Sequence, residues 1–373
     1  MHQIHFRFCP HRWQATRSYV LTKHVVTILP ICLLLFVVIY VSLSVVFRGV
    51  KIDIMDDGRS TSYQRNRPLK CDQCLSIESD IILNNVSICN KNTHVTDTKL
   101  LILIFSVNNN FLARHTIRET WLSPTYDKSL WVQHVFLLGQ STNISVEKQL
   151  HREHLEYGDI IQFSFYDTYR NLTYKTIMGY KWASIYCSNA NFILKTDDDV
   201  YVNIKGLLRT VYVHQAALLK SVAGLCSLES RRDTNPSSKS YVLPQEYPFD
   251  SYPGICNGFG YIISMQTLKR ILQVYSNIPF FHLEDVYIGF CVKELGYTFL
   301  NLFGFFHTEA ISHTSCNFKN EHFVLCHHVS IEDMRSIWES RCQLEIFGSR
   351  WIYIVHAHNI IKQLIVSQIM NMF

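Results

Sequence analysis

One stretch decides the fold class of this chain: F-I-L-K-T-D-D-D, residues 192–199. Its first three residues are apolar and predict a short buried strand, and three adjacent carboxylates follow near the strand end. Such carboxylates repel one another unless a cation or a cationic partner neutralises them. Ligands of open α/β sheets bind at the carboxyl ends of strands, and hard divalent cations prefer carboxylate oxygens. Because V-Y-V (200–202) resumes the apolar run, a Mg²⁺ or Mn²⁺ site that holds a diphosphate is favoured over a solvated acidic turn.

Further strands and helices are predicted upstream of this stretch. Short apolar runs at residues 100–105, 135–139 and 160–165 fit buried strands, and helical patterns occupy residues 111–121 and 175–186. Strands that alternate with helices are typical of a mainly parallel sheet covered on both faces. The sequence therefore predicts an α/β fold.

A second acidic pair, Glu284-Asp285, stands just before the apolar residues Val286 and Ile288. A carboxylate at the edge of an apolar segment can be partly desolvated, which raises its pKa toward values useful for a general base. The alternative is a helix start, because Glu and Asp are favoured in the first turn of a helix. Taken alone, the pair fits the helix start better.

Two arginines and a glycine pair are weaker candidates. Arg114 and Arg118 are four residues apart and therefore share one face of a helix. The two side chains could bind the phosphate oxygens of a nucleotide. Alternatively, they lie on an ordinary solvated face and pair with Glu119. Gly258 and Gly260 flank one residue, and such a motif either lets the backbone approach a ligand or marks a turn.

The N-terminal region predicts a membrane anchor. Residues 1–52 contain no acid, and residues 25–47 form an uncharged run of 23 residues. As a helix that run spans roughly 35 Å, against a bilayer core of about 30 Å. The basic leader 1–24 favours a cytoplasmic N-terminus and a lumenal body. The leader and the run are both longer than those of a cleaved signal peptide.

Composition supports a folded, lumenal body. The 373 residues are 48% apolar, which excludes wholesale disorder, and a net charge of +5 gives no argument for nucleic acid. Ten cysteines follow the apolar run, an even number that suits disulfides, and C-x-x-C at 71–74 is favoured as a disulfide over half a zinc site. Asn85, Asn143 and Asn171 begin glycosylation sequons.

Several segments of the sequence, in the same order as in the family, resemble the β1,3-glycosyltransferases of glycosyltransferase family 31. The resemblance covers about residues 99–338. Its segments are A-R-H-T-I-R-E-T-W (113–121), F-L-L-G (136–139), E-Y-G-D-I-I-Q (156–162), D-T-Y-R-N-L-T-Y-K-T (167–176), K-T-D-D-D-V-Y-V-N (195–203), C-N-G-F-G-Y (256–261), E-D-V-Y-I-G (284–289) and H-H-V-S-I-E-D-M-R-S-I-W (327–338).

The resemblance implies a GT-A fold that uses a UDP-sugar and a divalent metal, Mn²⁺ or Mg²⁺. It implies that Asp199 and His327 bind the metal, that Asp197 lies near the nucleotide ribose, and that Asp285 is the catalytic base. Asp198, between Asp197 and Asp199, is a further candidate for binding the donor. Arg114 and Arg118 would then contact the donor. The expected reaction inverts the donor linkage and joins the sugar to the 3-hydroxyl of a glycan on a glycoprotein or glycolipid.

Three departures from the family pattern leave the sugar open. Phe259 stands where the family has a middle glycine, Ser240 where a Trp is common, and Phe163-Ser164 where an acidic residue often follows Gln162. Galactose is expected first, with an N-acetylhexosamine as the other choice.

The full chain is expected to be a single-pass type II protein of the Golgi membrane. The sequence does not decide whether it forms a homodimer. Its parts are a cytoplasmic tail (1–24), an anchor (25–47), a stem (48–98), a catalytic domain (99–342) and a C-terminal tail without an assigned role (343–373). The alternatives are a non-catalytic lumenal chaperone or carbohydrate-binding relative, and more remotely a calcium-binding surface protein.

Overall fold

The computed structural model describes residues 70–90, 98–126, 130–307, 316–320 and 322–342. The expected tail, anchor and C-terminal segment at 1–24, 25–47 and 343–373 lie outside these residues, as does most of the expected stem. Among the helices that are described, none has the length and apolar character needed to cross a membrane.

The described residues form eleven strands and seven α-helices. The strands are β1 (Ile81–Leu83), β2 (Leu100–Phe105), β3 (Val132–Gln140), β4 (Ile160–Tyr166), β5 (Phe192–Asp197), β6 (Tyr201–Val202), β7 (Ser221–Arg231), β8 (Ser251–Ser264), β9 (Thr298–Asn301), β10 (Phe305–His307) and β11 (Leu325–His327). The helices are α1 (Phe111–Glu119), α2 (Ile144–Tyr157), α3 (Leu172–Tyr186), α4 (Ile204–Leu218), α5 (Met265–Val274), α6 (Glu284–Glu294) and α7 (Ile331–Glu339).

The main sheet of the described region has the strand order β1-β4-β3-β2-β5-β8-β7-β9. Its centre, β4-β3-β2-β5, is parallel, which confirms the predicted α/β class and the strands predicted from apolar runs. The sheet is mixed because β1 and β8 pair antiparallel with β4 and β5, and β7 pairs antiparallel with β8. The motif 258–260 lies inside β8 and does not form a turn.

The core lies on both faces of this sheet, as expected for strands buried on both sides. Alternate residues of β2 show the arrangement: Leu101 and Leu103 pack with residues of α3, α5 and α6, whereas Ile102 and Ile104 pack with residues of α1, α2, α4 and α7. The result is a three-layer α/β/α body.

The strand order places a switch point between β2 and β5. From β2 the chain steps outward to β3 and β4, and it then returns to β5 on the other side of β2. The two strands are parallel in register, with Phe105 opposite Asp197. In open α/β sheets the crevice at such a point binds ligands, and here the Asp triplet begins at it.

A small second sheet, β10-β11-β6, stands beside this crevice. The pairing of Cys326 with Tyr201 in β11 and β6 brings the chain around 327 next to the end of the Asp triplet. The backbone N–H of Val329 also donates to the carbonyl of Asp199 at 2.9 Å.

Disulfides tie the described parts together. They pair Cys71 with Cys74, Cys89 with Cys187, Cys226 with Cys256 and Cys316 with Cys342. The sequence left this pairing open. The bond between Cys89 and Cys187 spans 98 positions, and a loop of that length corresponds to about 4.7 kcal/mol of lost unfolded-state entropy.

Candidate active site

Asp198, the middle carboxylate of the triplet, is directed into the protein. Its Oδ2 atom accepts hydrogen bonds from Ser106 Oγ at 2.7 Å and from Asn110 Nδ2 at 2.8 Å. Burial raises the pKa of the Asp198 carboxyl, and these two donors counteract part of that rise. Asp198 therefore joins the ends of β5 and β2 at the switch point, and its predicted nucleotide contact stays a prediction.

Asp197 pairs with a buried lysine. Lys195 Nζ donates to Asp197 Oδ1 at 2.7 Å and also to the carbonyl oxygen of Gly258. Burial lowers the pKa of Lys195, but the charges of Asp197 and Glu284 more than offset it and the pKa is raised. The lysine stays charged and fixes the position of Asp197 at the strand end.

Asp199 meets two histidines. Its Oδ2 atom lies 3.3 Å from His327 Nε2 and 3.5 Å from His328 Nδ1, and one ligand atom from each of the three residues falls within 4.8 Å of the others. Burial raises the pKa of Asp199, but the hydrogen bond and charge of His327 outweigh it, so the pKa is lowered.

This trio has the donor chemistry of a divalent cation site. One carboxylate oxygen and two imidazole nitrogens suit a borderline cation such as Mn²⁺, and neutral imidazole can bind it. Asp199 and His327, which the resemblance implied as metal ligands, do lie together.

His328 was not predicted. It directly follows His327 and has a left-handed backbone, with φ of +57°. Histidine is among the residues that adopt this conformation more often. Because the turn at 328 breaks the strand alternation, both imidazoles stand on the same side, with ring centroids 3.7 Å apart. The dipeptide His-His was the signal available in the sequence.

The second acidic pair begins α6. Leu283 is the N-cap residue and makes no side-chain capping bond, while Glu284 and Asp285 occupy the first turn. Glu284 is buried and its Oε1 accepts from Tyr261 Oη at 2.6 Å; Tyr261 Oη in turn lies 2.7 Å from Tyr180 Oη. Burial raises the pKa of Glu284 to about 7, although Lys195 lowers it.

Asp285 is half-buried, and its Oδ1 atom accepts from the backbone N–H of Val286 at 2.8 Å. Burial raises its pKa, with the N–H of Val286 acting in the opposite direction. A raised pKa brings a carboxylate nearer to the range in which a base is effective. Asp285 thus occupies a helix start and also has an environment suited to a base.

Two consecutive residues of β8 connect the acidic pair with the histidines. A Cβ added to Gly258 would lie 3.4 Å from Glu284 Oε2 and 3.6 Å from Asp285 Oδ2, so this position of β8 directly borders both carboxylates. The next residue, Phe259, stacks on the ring of His327 with centroids 4.7 Å apart. Strand β8 therefore contacts the start of α6 through Gly258 and the histidine cluster through Phe259.

Arg114 and Arg118 are buried in ion pairs, not on a solvated face. Arg114 Nε and Nη2 donate to Glu153, and Arg118 donates to Asp159 and Glu153 at 2.8 Å. Arg114 also donates to Ser106 Oγ, which itself donates to Asp198. Arg114 thus supports the loop at the switch point, and direct contact of either arginine with a donor phosphate stays a prediction.

Comparison with known proteins identifies the family. The sequence model described as "Galactosyltransferase" matches residues 112–302. Mouse beta-1,3-galactosyltransferase 1 is 31% identical over 259 residues, which cover 69% of this chain and 77% of the mouse protein. The chain belongs to the galactosyltransferase family.

A second relative has a similar level of identity. Chimpanzee beta-1,3-galactosyltransferase 5 is 31% identical over 242 residues, which cover 64% of this chain and 80% of that protein. Among solved structures, the galactosyltransferase LgtC in complex with donor and acceptor sugar analogues is 12% identical with a TM-score of 0.37, over 66% of this chain and 98% of that one. A TM-score this low carries no argument about the fold or the reaction of this chain.

Family membership makes the chain a glycosyltransferase. The matched region, 112–302, contains the Asp triplet and the acidic pair, whereas His327 and His328 lie beyond its end. The histidines reach the site because β11 pairs with β6, directly after the triplet.

Proposed function

We propose that this glycosyltransferase is a GT-A type enzyme that transfers a hexose from a UDP-sugar to the 3-hydroxyl of a glycan, with inversion to a β linkage. Galactose is the first choice of donor sugar and an N-acetylhexosamine the second. The observation that carries the proposal is the convergence of Asp199, His327 and His328 at the crevice end of β5. The names of the beta-1,3-galactosyltransferase relatives support the linkage and the sugar.

Asp199 and His327 would hold the divalent cation, Mn²⁺ or Mg²⁺, with His328 as a third ligand. A cation bound there would offset the negative charge that grows on the departing UDP. Lys195 donates a 2.7 Å hydrogen bond to Asp197 and holds this carboxylate beside the cation site. Asp197 would bind the nucleotide from this position.

Asp285 would act on the acceptor. Its carboxylate takes the proton of the 3-hydroxyl as the hydroxyl oxygen attacks the sugar carbon from the face opposite the diphosphate. The N–H of Val286 orients this carboxylate, and Gly258 leaves room beside it. A single displacement of this kind converts an α-linked donor into a β-linked product.

We also propose a membrane topology, which is based on the sequence alone. Residues 1–24 would be cytoplasmic, 25–47 a membrane anchor, 48–98 a stem and 99–342 a lumenal catalytic domain of the Golgi membrane. The disulfides support an oxidising compartment, because such bonds are rare in the cytosol.

Asn143 provides the test of this topology. It is exposed at the N-cap of α2, whereas the Nδ2 atoms of Asn85 and Asn171 donate to the carbonyls of Gly158 and Tyr166. A glycan at Asn143 that disappears in Asn143→Gln would support a lumenal body. An unglycosylated body accessible to protease from the cytosol would contradict it.

A donor screen tests the activity. The purified full-length chain is incubated with UDP-galactose, UDP-N-acetylglucosamine or UDP-N-acetylgalactosamine and Mn²⁺, with and without acceptor glycans, and UDP release is measured. We expect release that depends on both one donor and an acceptor, with a β1,3 linkage in the product. Binding of the nucleotide sugars without transfer to any acceptor would favour the non-catalytic chaperone or carbohydrate-binding alternative.

A further inference from the structure

His327 is enclosed by two aromatic rings outside the Asp199 trio. The Phe259 ring stacks on the imidazole of His327, with centroids 4.7 Å apart and planes inclined by 13°. His307 approaches the opposite nitrogen, and its Nδ1 lies 3.4 Å from Nδ1 of His327. Phe259 also meets His307 edge to face, with centroids 4.6 Å apart. The three side chains therefore form one contact group.

Strand pairing places these rings. His307 and His327 are register partners in the parallel pair β10 and β11, so their Cα atoms are neighbours. Phe259 comes from β8, which approaches β11 closely: a Cβ on Gly260 would lie 2.6 Å from Leu325 Cδ2. A side chain at 260 would force Leu325 to move, and the close approach brings the buried ring of Phe259, 4% exposed, against the imidazole.

We infer that Phe259 and His307 are positioning residues that hold His327 with Nε2 toward Asp199 and so set the affinity of the cation site. The inference rests on the proposed function, because it needs a cation at Asp199 and His327. It goes beyond that function by assigning two residues that would act through His327.

The tautomer of His327 supports the role of His307. A neutral imidazole carries one N–H, and a nitrogen that binds a cation cannot carry it. When Nε2 binds a cation beside Asp199, the proton must be on Nδ1, and Nδ1 of His307, 3.4 Å away, is placed to accept it. Histidines that bind metals commonly donate the other ring N–H to an acceptor such as a carboxylate, a carbonyl or a water, and loss of that partner typically weakens metal binding 10- to 100-fold. The imidazole of His307 would be the acceptor here.

The stacked ring supports the role of Phe259. The side chain of His327 has two rotatable bonds, and an imidazole that turns about the second would move Nε2 away from Asp199. A parallel aromatic ring on one face restricts this rotation, and stacking of aromatic rings is favourable beyond the burial of their surface. A leucine at 259 would fill part of the space but would not provide a flat surface.

The test measures Mn²⁺ binding and not transfer. Mn²⁺ is titrated into the purified full-length chain, alone and with UDP, and free Mn²⁺ is read by electron paramagnetic resonance. We expect His307→Leu to weaken Mn²⁺ affinity about 10- to 100-fold and Phe259→Leu to weaken it about 2- to 10-fold. His307→Asn, whose amide oxygen can accept near the position of Nδ1, should stay within a few-fold of the unmodified chain.

Phe323→Leu is the matched control, because it makes the same change in a buried ring that packs on Phe306 and Phe318. It should lower the thermal midpoint as Phe259→Leu does but leave Mn²⁺ affinity unchanged. Equal loss of affinity in Phe323→Leu would overturn the inference, and so would unchanged affinity in Phe259→Leu and His307→Leu.

If Phe259→Leu does not fold, the pair His307→Leu and His307→Asn decides, and equal affinities in the two would count against the role of His307. Absence of Mn²⁺ binding by the unmodified chain would instead refute the metal requirement of the proposed function, and this inference with it.

Discussion

Lys195 Nζ and Glu284 Oε2 lie 3.8 Å apart in the interior of the protein. The same ammonium donates to Asp197 Oδ1 at 2.7 Å. Lys195 belongs to β5 and Glu284 begins α6. The buried ammonium group of Lys195 therefore connects the acidic end of β5 with the helix that carries Asp285. The charge balance of this group contributes to the way the stability of the chain varies with pH.

Glu284→Gln should change the pH dependence of stability. The pKa of Glu284 is about 7 in the folded chain, against 4.5 for an ordinary glutamate. Between these values the folded chain retains a proton that the unfolded chain has released, so this residue lowers the free energy of unfolding as pH rises. The variant should therefore gain about 3 kcal/mol relative to the unmodified chain between pH 4.5 and pH 8.

Urea unfolding at pH 4.5, 6 and 8 measures this difference. Glu332→Gln, which removes an exposed carboxylate from the first turn of α7, is the control and should give a curve parallel to that of the unmodified chain. A parallel curve for Glu284→Gln as well would show that the pKa of Glu284 is the same in the folded and the unfolded chain.

Arg118→Met distinguishes a structural from a phosphate-binding arginine. Its guanidinium joins Asp159 and Glu153, and the pKa of Asp159 is lowered to about 2 by hydrogen bonds from His134 and Arg118 that outweigh its burial. Removal of one partner of a buried ion pair typically costs about 3–5 kcal/mol. We expect that loss in the free energy of unfolding at pH 7, with the affinity for UDP unchanged.

Arg152→Met changes an exposed arginine of α2 and should affect neither quantity. If Arg118→Met weakens UDP binding while stability is kept, the arginine contacts the donor as the sequence predicted.

Much of the parallel half of the sheet was predictable, because strands buried on both faces are continuous apolar runs such as 100–105. The antiparallel half was not. β8 contains C-N-G-F-G-Y, in which two glycines suggest a turn, yet both lie inside the strand, Gly258 beside Glu284 and Asp285 and Gly260 close against Leu325. Local spacing also could not predict that Arg114 is buried, since its partner Glu153 lies 39 residues away.

Asp199→Asn tests the metal requirement. The change keeps the shape of the side chain but removes the charge that lies 3.3 Å from His327 Nε2. Stabilisation of the leaving diphosphate by a cation is worth several kcal/mol, so transfer should fall by at least about 10³. Excess chelator should abolish transfer by the unmodified chain, reversibly on addition of Mn²⁺, and should add little to the loss in the variant. Full activity in chelator would contradict the metal-assisted mechanism.

Asp285→Asn separates the two interpretations of the second acidic pair. As a base, Asp285 must accept a proton, which an amide cannot do, and removal of a general base typically costs 10²–10⁴ in rate. As an acid in the first turn of α6, it would contribute only about 0.3–1 kcal/mol of stability through the helix dipole. The variant should therefore bind UDP-sugar almost normally and lose nearly all transfer. Asp333→Asn makes the same change in the first turn of α7 and should leave turnover intact. Turnover of Asp285→Asn at the unmodified rate would remove Asp285 from the mechanism and leave it a helix-start residue.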